Sequence, residues 1–75
     1  MADDRVTVEV GFDGGQIMIA RVTGSSADEL DRTLQSGSDG IVTLDAEDGS
    51  YAVALRRIVY VKRFARESRV GFGSQ

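Results

Sequence analysis

The first part of the chain alternates apolar and polar residues with a period of two. From Arg5 to Phe12 the valines and the phenylalanine share one side of an extended segment, and the arginine, threonine and glutamate share the other. This alternation predicts a half-buried β-strand. An Asp-Gly-Gly turn signal follows at residues 13–15, and residues 16–22 form a second extended segment that completes a predicted hairpin.

The second extended segment is apolar on both of its sides. We expect Ile17 and Ile19 to join the apolar side of the first strand. The opposite side then carries Met18, Ala20 and Val22, although a sheet with one solvated face needs no apolar residues there. These three side chains therefore have no obvious partner within one small subunit.

A short helix is predicted between the two halves of the chain. Ser26 and Glu29 fit a capping box, in which each side chain bonds the backbone N–H of the other residue. An apolar stripe at helical spacing is formed by Ala27, Leu30 and Leu34. We expect the helix to begin at Ser26 and to end at Ser36, with Gly37 just beyond its end. Because so short a helix is unstable alone in water, the stripe must pack on the sheet.

The centre of the chain carries a second hairpin signal. Asp48-Gly49 separates two apolar, alternating segments and suits a two-residue turn in which both central residues take positive φ. With that turn, Leu44 lies opposite Val53 and Val42 lies opposite Leu55. We expect Leu44, Val53 and Leu55 in the core, since a one-residue slip would move the whole apolar set to the other face.

A third apolar segment follows the hairpin. Residues 58–64, Ile-Val-Tyr-Val-Lys-Arg-Phe, predict either a fifth strand or a bent continuation of the fourth. Residues 65–75 are expected to be an extended or flexible C-terminal tail. Val70 and Phe72 alternate with glycines there, which fits a short strand that pairs with a neighbour or a frayed end. Pairing is favoured, because Phe72 has little reason to remain in water.

Together these elements predict one α+β domain over residues 1–75, in the order β-β-α-β-β-β. It has a mainly antiparallel sheet of about five strands and one short helix. A domain of this size buries only roughly 60% of the surface that its unfolded chain exposes. The chain has no cysteine and no histidine, so disulfides and the usual zinc sites cannot supplement the core. Self-association is the remaining common route to stability.

Acidic and basic residues are concentrated in different parts of the chain. Residues 1–50 carry 11 acidic and 3 basic side chains, whereas residues 51–75 carry 1 acidic and 6 basic ones. This asymmetry indicates a charged partner, either RNA or another copy of the chain. The candidate contact residues are Arg56, Tyr60, Lys62, Arg63, Phe64, Arg66 and Arg69.

This basic cluster has more than one interpretation. Its cations can contact phosphates and its aromatic rings can stack on bases. The alternatives are a solvated strand edge, or salt bridges to the acidic helix of a neighbouring subunit. The overall acidity of the chain disfavours strong nonspecific binding of nucleic acid.

No motif for catalysis or for metal or cofactor binding is recognisable. Counted from Asp45, the twelfth position of an apparent calcium loop is Arg56, where such a loop requires glutamate. Residues 13–15 and 71–73 lack the lysine and the helix junction of a phosphate-binding loop. Without cysteine or histidine, and with the serines at caps and turns, nucleophilic catalysis has no candidate. We therefore expect a protein that is not an enzyme and that uses no cofactor or metal.

Parts of this pattern are similar to those of two groups of proteins. Small actinobacterial proteins of unknown function resemble it over residues 6–62, which include Val-Thr-Val-Glu-Val-Gly, Ser-Ala-Asp-Glu-Leu, Asp-Gly and Ile-Val-Tyr-Val. That resemblance implies no activity.

The length and the strand spacing are also similar to those of the tryptophan RNA-binding attenuation protein family, whose small β subunits form rings. Arg56 matches one of two basic residues on that family's RNA-contacting strand, and Ala54 departs from the other. The tryptophan pocket is not recognisable, because residues 26–34 predict a helix. The resemblance implies ring assembly and does not imply tryptophan binding.

We expect a nonenzymatic, self-associating binding or scaffold module of unknown ligand, whose homo-oligomer is held partly by head-to-tail contact of acidic and basic regions. Such a contact closes into a ring when its rotation permits. The alternative is an RNA-binding ring subunit that uses the C-terminal basic strand. The polar N-terminus lacks the apolar region of a signal peptide. No stretch approaches the ~20 apolar residues of a membrane span. The expected location is the cytoplasm, with no membrane partner.

Overall fold

The computed structural model describes residues 5–64, which form five β-strands and one α-helix in the predicted order. They are β1 (Arg5–Phe12), β2 (Ile17–Thr23), α1 (Gly24–Gln35), β3 (Ile41–Ala46), β4 (Gly49–Ala54) and β5 (Ile58–Arg63). The strands form one antiparallel sheet in the order β4-β3-β2-β1-β5. The α+β prediction is therefore confirmed. The predicted tail, residues 65–75, lies outside the described residues.

The sheet must curl, because its two edge strands are consecutive in the chain. β4 and β5 lie at opposite edges, and the 3₁₀ helix Leu55–Arg57 connects them. The chain between Ala54 and Ile58 spans at most about 14 Å, whereas the edges of a flat five-stranded sheet lie about 19 Å apart. β5 is thus a separate strand paired with β1, and the interpretation of residues 58–64 as a continuation of β4 is wrong.

One side of the curled sheet packs against α1 and forms the core. The buried apolar side chains are Val8, Val10, Ala20, Val22, Ala27, Leu30, Val42, Leu44, Ala46, Val53 and Leu55. Leu34 packs against the margin of this core, so the predicted apolar stripe of the helix is confirmed. The other side of the sheet, called the open face below, includes Glu9, Gly11, Ile17, Ile19, Ile41, Tyr60 and Lys62.

The loop between β1 and β2 reverses the predicted faces of β2. The core side of β2 consists of Met18, Ala20 and Val22, which pair with the valines of β1. Ile17 and Ile19 lie on the open face and are 59% and 61% exposed, so their predicted place beside the valines is wrong. The Phe12 N–H donates to the Gln16 carbonyl at 2.8 Å, which leaves a three-residue loop. A two-residue loop would have given the opposite faces, because side chains alternate along a strand.

The turn between β3 and β4 lies one residue earlier than predicted. Its central residues are Glu47 and Asp48, because Ala46 pairs with Gly49. Gly49 has a φ of +139°, a conformation that other residues rarely adopt. The Glu47 N–H also donates to the Arg21 carbonyl on β2 at 3.0 Å, which fixes the end of β3.

The register of this hairpin changes with its turn. Leu44 lies opposite Tyr51 and Val42 lies opposite Val53, so each partner is two residues from the predicted one. A shift of two residues keeps every side chain on its own face. The predicted core residues of the hairpin are therefore confirmed although their pairing was wrong.

The helix begins before the predicted cap. Its N-cap is Thr23, whose Oγ1 accepts the Ser26 N–H at 3.1 Å. Ser26 lies inside the first turn, is buried, and accepts the Asp45 N–H with its Oγ at 3.0 Å. The Ser26 capping box is therefore wrong, and the serine instead ties α1 to β3. The predicted helix end is confirmed, since Gly37 has a φ of +78° and its N–H donates to the Leu34 carbonyl.

Candidate interaction surface

Three of the predicted contact residues form one group at the edge of the open face. Tyr60 and Lys62 alternate along β5 and both point to that face. The Lys62 Nζ lies 4.5 Å from the centroid of the Phe64 ring, which brings the third residue into the group. Such a cation–π contact stabilises an exposed site by roughly 0.5–1 kcal/mol. Arg66 and Arg69 lie outside the described residues.

Arg63 points to the other side of β5 and pairs with the helix. Its Nη1 lies 3.0 Å from the Asp28 carboxylate and 3.2 Å from that of Asp31. The hydrogen bond to Asp28 is the main cause that raises the pKa of Arg63, and burial opposes it. The acidic helix and the basic strand therefore pair within one chain. Arg56 lies elsewhere, exposed in the 3₁₀ helix.

Tyr60 occupies the space that Gly11 leaves on the neighbouring strand. A Cβ atom at Gly11 would overlap the Tyr60 ring, so the ring lies directly across the glycine. The Tyr60 hydroxyl donates to the Glu9 carboxylate. This hydrogen bond is the main cause that raises the pKa of Tyr60, with desolvation and the negative charge acting in the same direction. Sequence reasoning missed this contact, because Gly11 and Tyr60 lie on strands that are far apart in the sequence and the pattern does not show which strands pair.

In the part of the chain that the structure describes, no strand pairs with the outer edge of β4, and β4 carries no charged side chain. The Leu55 N–H donates to the Gly40 carbonyl of the chain entering β3. Backbone groups alternate in direction along a strand, so those of Ser50, Ala52 and Ala54 point away from β3. The sequence of β4, Gly-Ser-Tyr-Ala-Val-Ala, contains no lysine, glutamate or proline that would obstruct another strand.

Within residues 5–64, no strand pairs with the outer edge of β5. The Phe64 N–H donates to the Thr7 carbonyl on β1, so the backbone groups of Val61 and Arg63 point outward. A register shift lies near the start of the strand, where Val59 is 67% exposed. Residues 58–61 carry no charge, and the positive charges begin at Lys62.

In the part of the chain that the structure describes, no helix is long and apolar enough to cross a membrane. Residues 5–64 also contain no group of three or more carboxylates placed to hold a metal ion. Neither a family model, nor a curated protein, nor a solved structure matches the chain.

Proposed function

We propose that this protein is a nonenzymatic, self-associating binding or scaffold module. Its subunits pair head to tail, with β4 of one subunit beside β5 of the next, and the assembly closes into a ring. The observation that carries the proposal is that both sheet edges are unpaired within residues 5–64: the edge of β4 has no protection there, and the edge of β5 has a register shift near its start and charges from Lys62 onward. Natural sheets usually protect their edges with charges, prolines or bulges. Here β4 is uncharged, β5 is uncharged before Lys62, and the chain has no proline.

Antiparallel pairing fits the directions of the exposed backbone groups. If Ala52 lies opposite Val61 of the next subunit, Ser50 lies opposite Arg63, and the outward N–H and C=O groups of both strands face one another. The same register brings the exposed Val59 against the end of β4. Burial of such apolar surface contributes roughly 25 cal/mol per Å² and supplies most of the affinity.

Charge favours this orientation of the two strands. The register sets Tyr51 beside Lys62 of the next subunit. The Tyr51 hydroxyl donates to the Asp48 carboxylate at 2.9 Å, so this acid lies at the same end of the contact. The acidic turn of one subunit then meets the basic end of the next, and such charges set orientation more than strength. Because the edges of β4 and β5 differ, the contact between them is heterologous. Repeating such a contact forms a ring when the rotation from one subunit to the next returns to the first subunit.

Sedimentation of the unmodified chain and of Ala52→Pro tests this proposal. The Ala52 N–H points outward, so proline removes a donor that the subunit itself does not use. We expect the unmodified chain to assemble at micromolar concentration and the proline variant to sediment as the 8.1 kDa monomer with an unchanged circular dichroism spectrum.

Ala52→Val is the matched control, because it keeps the N–H and suits a strand. It should assemble like the unmodified chain. A single 8.1 kDa species for the unmodified chain at low and high salt would refute self-association. Continued assembly of a folded Ala52→Pro variant would refute the β4 edge as the contact.

RNA binding is a second candidate, supported by the group Tyr60, Lys62 and Phe64. Exposed aromatic rings on a sheet can stack on bases while a cation contacts the phosphates. Arg63 contributes little to this surface, since the carboxylates of Asp28 and Asp31 already hold it.

Fluorescence anisotropy with a labelled oligouridine tests this candidate. Tyr60→Ala and Lys62→Gln should weaken the binding, and Arg63→Gln should not. A plot of the logarithm of the affinity against the logarithm of the salt concentration should have a slope of about −0.7, as expected for one phosphate contact on a single strand. Equal binding by all three variants would reject this surface.

A further inference from the structure

β2 has a backbone edge that β3 leaves open. Within the described residues, β3 pairs with the end of β2 alone, and the chain turns away at Glu47. The Arg21 carbonyl accepts the Glu47 N–H, so the backbone groups of Arg21 point to the β3 side. Because these groups alternate in direction, those of Ile17 and Ile19 point the same way, beyond the end of β3.

The surroundings of this edge are apolar on one side and acidic at one end. Ile17 and Ile19 expose most of their side chains on the open face. Beside them lies a depression of about 300 Å³, which is lined by Ile19, Ala20, Arg21, Glu47 and Asp48. A free backbone edge next to apolar side chains and a depression is the arrangement that binds extended peptides by strand addition.

We propose that the β2 edge, from Ile17 to Ala20, binds an extended peptide segment of apolar and basic character. The peptide lies where a longer β3 would continue, antiparallel to β2. It places β-branched side chains opposite Ile17 and Ile19, on the open face, and a lysine or arginine at its N-terminal end beside Asp48.

The charges at the end of the depression support a basic ligand. Glu47 is already paired, since its Oε2 lies 3.0 Å from the Arg21 Nε. Asp48 accepts the Tyr51 hydroxyl, and no cation within residues 5–64 pairs with its carboxylate. A basic group of the peptide therefore meets a carboxylate whose charge is not compensated within the described chain. Acidic peptides would meet repulsion at the same place.

This proposal does not rest on self-association, because β2 lies inside the sheet and the head-to-tail contact uses β4 and β5. The Ala52→Pro variant separates the two ideas. It should bind the peptide at least as tightly as the unmodified chain does, because loss of the head-to-tail contact with Lys62 leaves Asp48 to the peptide alone.

The probe is a blocked synthetic peptide of alternating valine and threonine with an N-terminal lysine, titrated into isotopically labelled protein. We expect the amide hydrogens of Ile17 and Ile19 to exchange more slowly in the complex, because they become hydrogen-bonded. Methylation of the peptide's backbone nitrogens that bond to β2 leaves its side chains unchanged and removes those N–H donors. It should weaken binding on the order of tenfold or more, as the loss of two hydrogen bonds implies.

Protein variants identify the site. Ile19→Lys should weaken binding on the order of tenfold, and Asp48→Asn about threefold to fivefold, as for an exposed ion pair. Ile41→Lys is the matched control, because Ile41 is 70% exposed on the same face but lies on β3, whose edge is paired with β4. It should leave the affinity unchanged.

Three results would overturn the proposal. The first is equal affinity for the N-methylated peptide, and the second is exchange at Ile17 and Ile19 that the peptide does not alter. The third is protection of both amide hydrogens from exchange in the absence of peptide, if this protection grows with protein concentration. Such a result would assign the edge to a second copy of the chain.

Discussion

The ring of Tyr60 on β5 lies across Gly11 on β1, so closely that no side-chain carbon fits at position 11. Gly11 is buried even though it belongs to the open face, because the ring covers it. The ring consequently lies along the sheet, and its hydroxyl reaches Glu9 on the same neighbouring strand. A glycine inside a strand thus sets the position of the Tyr60 ring on the open face.

Gly11→Ala should destabilise the protein by about 1–3 kcal/mol, because the new methyl group overlaps the Tyr60 ring. Urea denaturation measures this loss. Gly40→Ala is the control, since no atom lies within 4 Å of a Cβ at that position. In a Tyr60→Ala background the cost of Gly11→Ala should largely disappear. The same cost with and without the ring would contradict the contact as its cause.

The hydrogen bond to Glu9 also predicts how Tyr60 titrates. The pKa of Tyr60 is raised above its ordinary value of 10.0, so the folded protein holds the phenolic proton more tightly than the unfolded chain does. The resulting stability is present below pH 10.0 and is lost as the pH rises through the folded pKa. Glu9→Gln should lower the pKa of Tyr60 towards its ordinary value.

Absorbance of tyrosinate measures this pKa in a Tyr51→Phe background, where Tyr60 is the remaining tyrosine. The substitution of Tyr51 is necessary because its own pKa is raised by its hydrogen bond to Asp48 and by the charge of that carboxylate. Asp48→Asn in the same background should leave the titration of Tyr60 unchanged. An identical titration in Glu9→Gln would show that the carboxylate does not hold the phenol in solution.

The two hydroxyls at the start of α1 should act as a unit. Thr23 caps the helix, and its Oγ1 also lies 2.9 Å from the Ser26 Oγ, which in turn accepts the Asp45 N–H. Thr23→Ala should cost about 1 kcal/mol as a lost cap, and Ser26→Ala about 1–3 kcal/mol because it leaves a partly buried N–H without its acceptor. The double variant should lose less than the sum of the single variants, since both remove the shared hydrogen bond.

Chemical denaturation of the two single variants and the double variant measures this coupling. Ser38→Ala is a suitable control, because Ser38 is exposed and its hydroxyl has no hydrogen bond within residues 5–64. Additive losses from Thr23→Ala and Ser26→Ala would show that the two hydroxyls stabilise the helix independently.

The sequence predicted the elements and most of the core, but not the details that depend on loop length. Residues 13–15 can form a two-residue or a three-residue loop. Because β2 is apolar at both its odd-numbered and its even-numbered positions, its composition did not show which side faces the core. The choice depends on the Phe12–Gln16 hydrogen bond and on the cover that α1 provides for one face. Ile17 and Ile19 were therefore assigned to the wrong side.

The helix start was ambiguous for a similar reason. Thr23 and Ser26 both have hydroxyls suited to an N-cap, and the position of the Asp45 N–H decides between them. That group comes from a strand distant in sequence, which local patterns do not report. One alternative for the basic cluster was salt bridges to the acidic helix of a neighbouring subunit. Arg63 of that cluster instead pairs with Asp28 and Asp31 within one chain.

This intrachain pairing changes which charge should orient the proposed ring. Arg63→Gln should lower the stability of the subunit by less than about 1 kcal/mol, as expected for an exposed ion pair, and should leave assembly intact. Lys62 has no ion pair within residues 5–64, so it is the cation available to the acidic turn of the next subunit. An effect of Arg63→Gln on assembly as large as that of Lys62→Glu would contradict this assignment.

Lys62→Glu should weaken assembly about fivefold at low salt, because its new charge would lie beside Asp48 of the next subunit. Adding Asp48→Lys to the same chain reverses the partner charge and should restore the affinity, since every head-to-tail contact then pairs lysine with glutamate again. A contact between identical edges, β4 with β4 or β5 with β5, brings no position 48 to a position 62 and would show no such rescue. Sedimentation equilibrium of the single and double variants measures both steps. Rescue that disappears at high salt supports the charge pair, whereas weakening without rescue would exclude the head-to-tail orientation while leaving the oligomer itself in place.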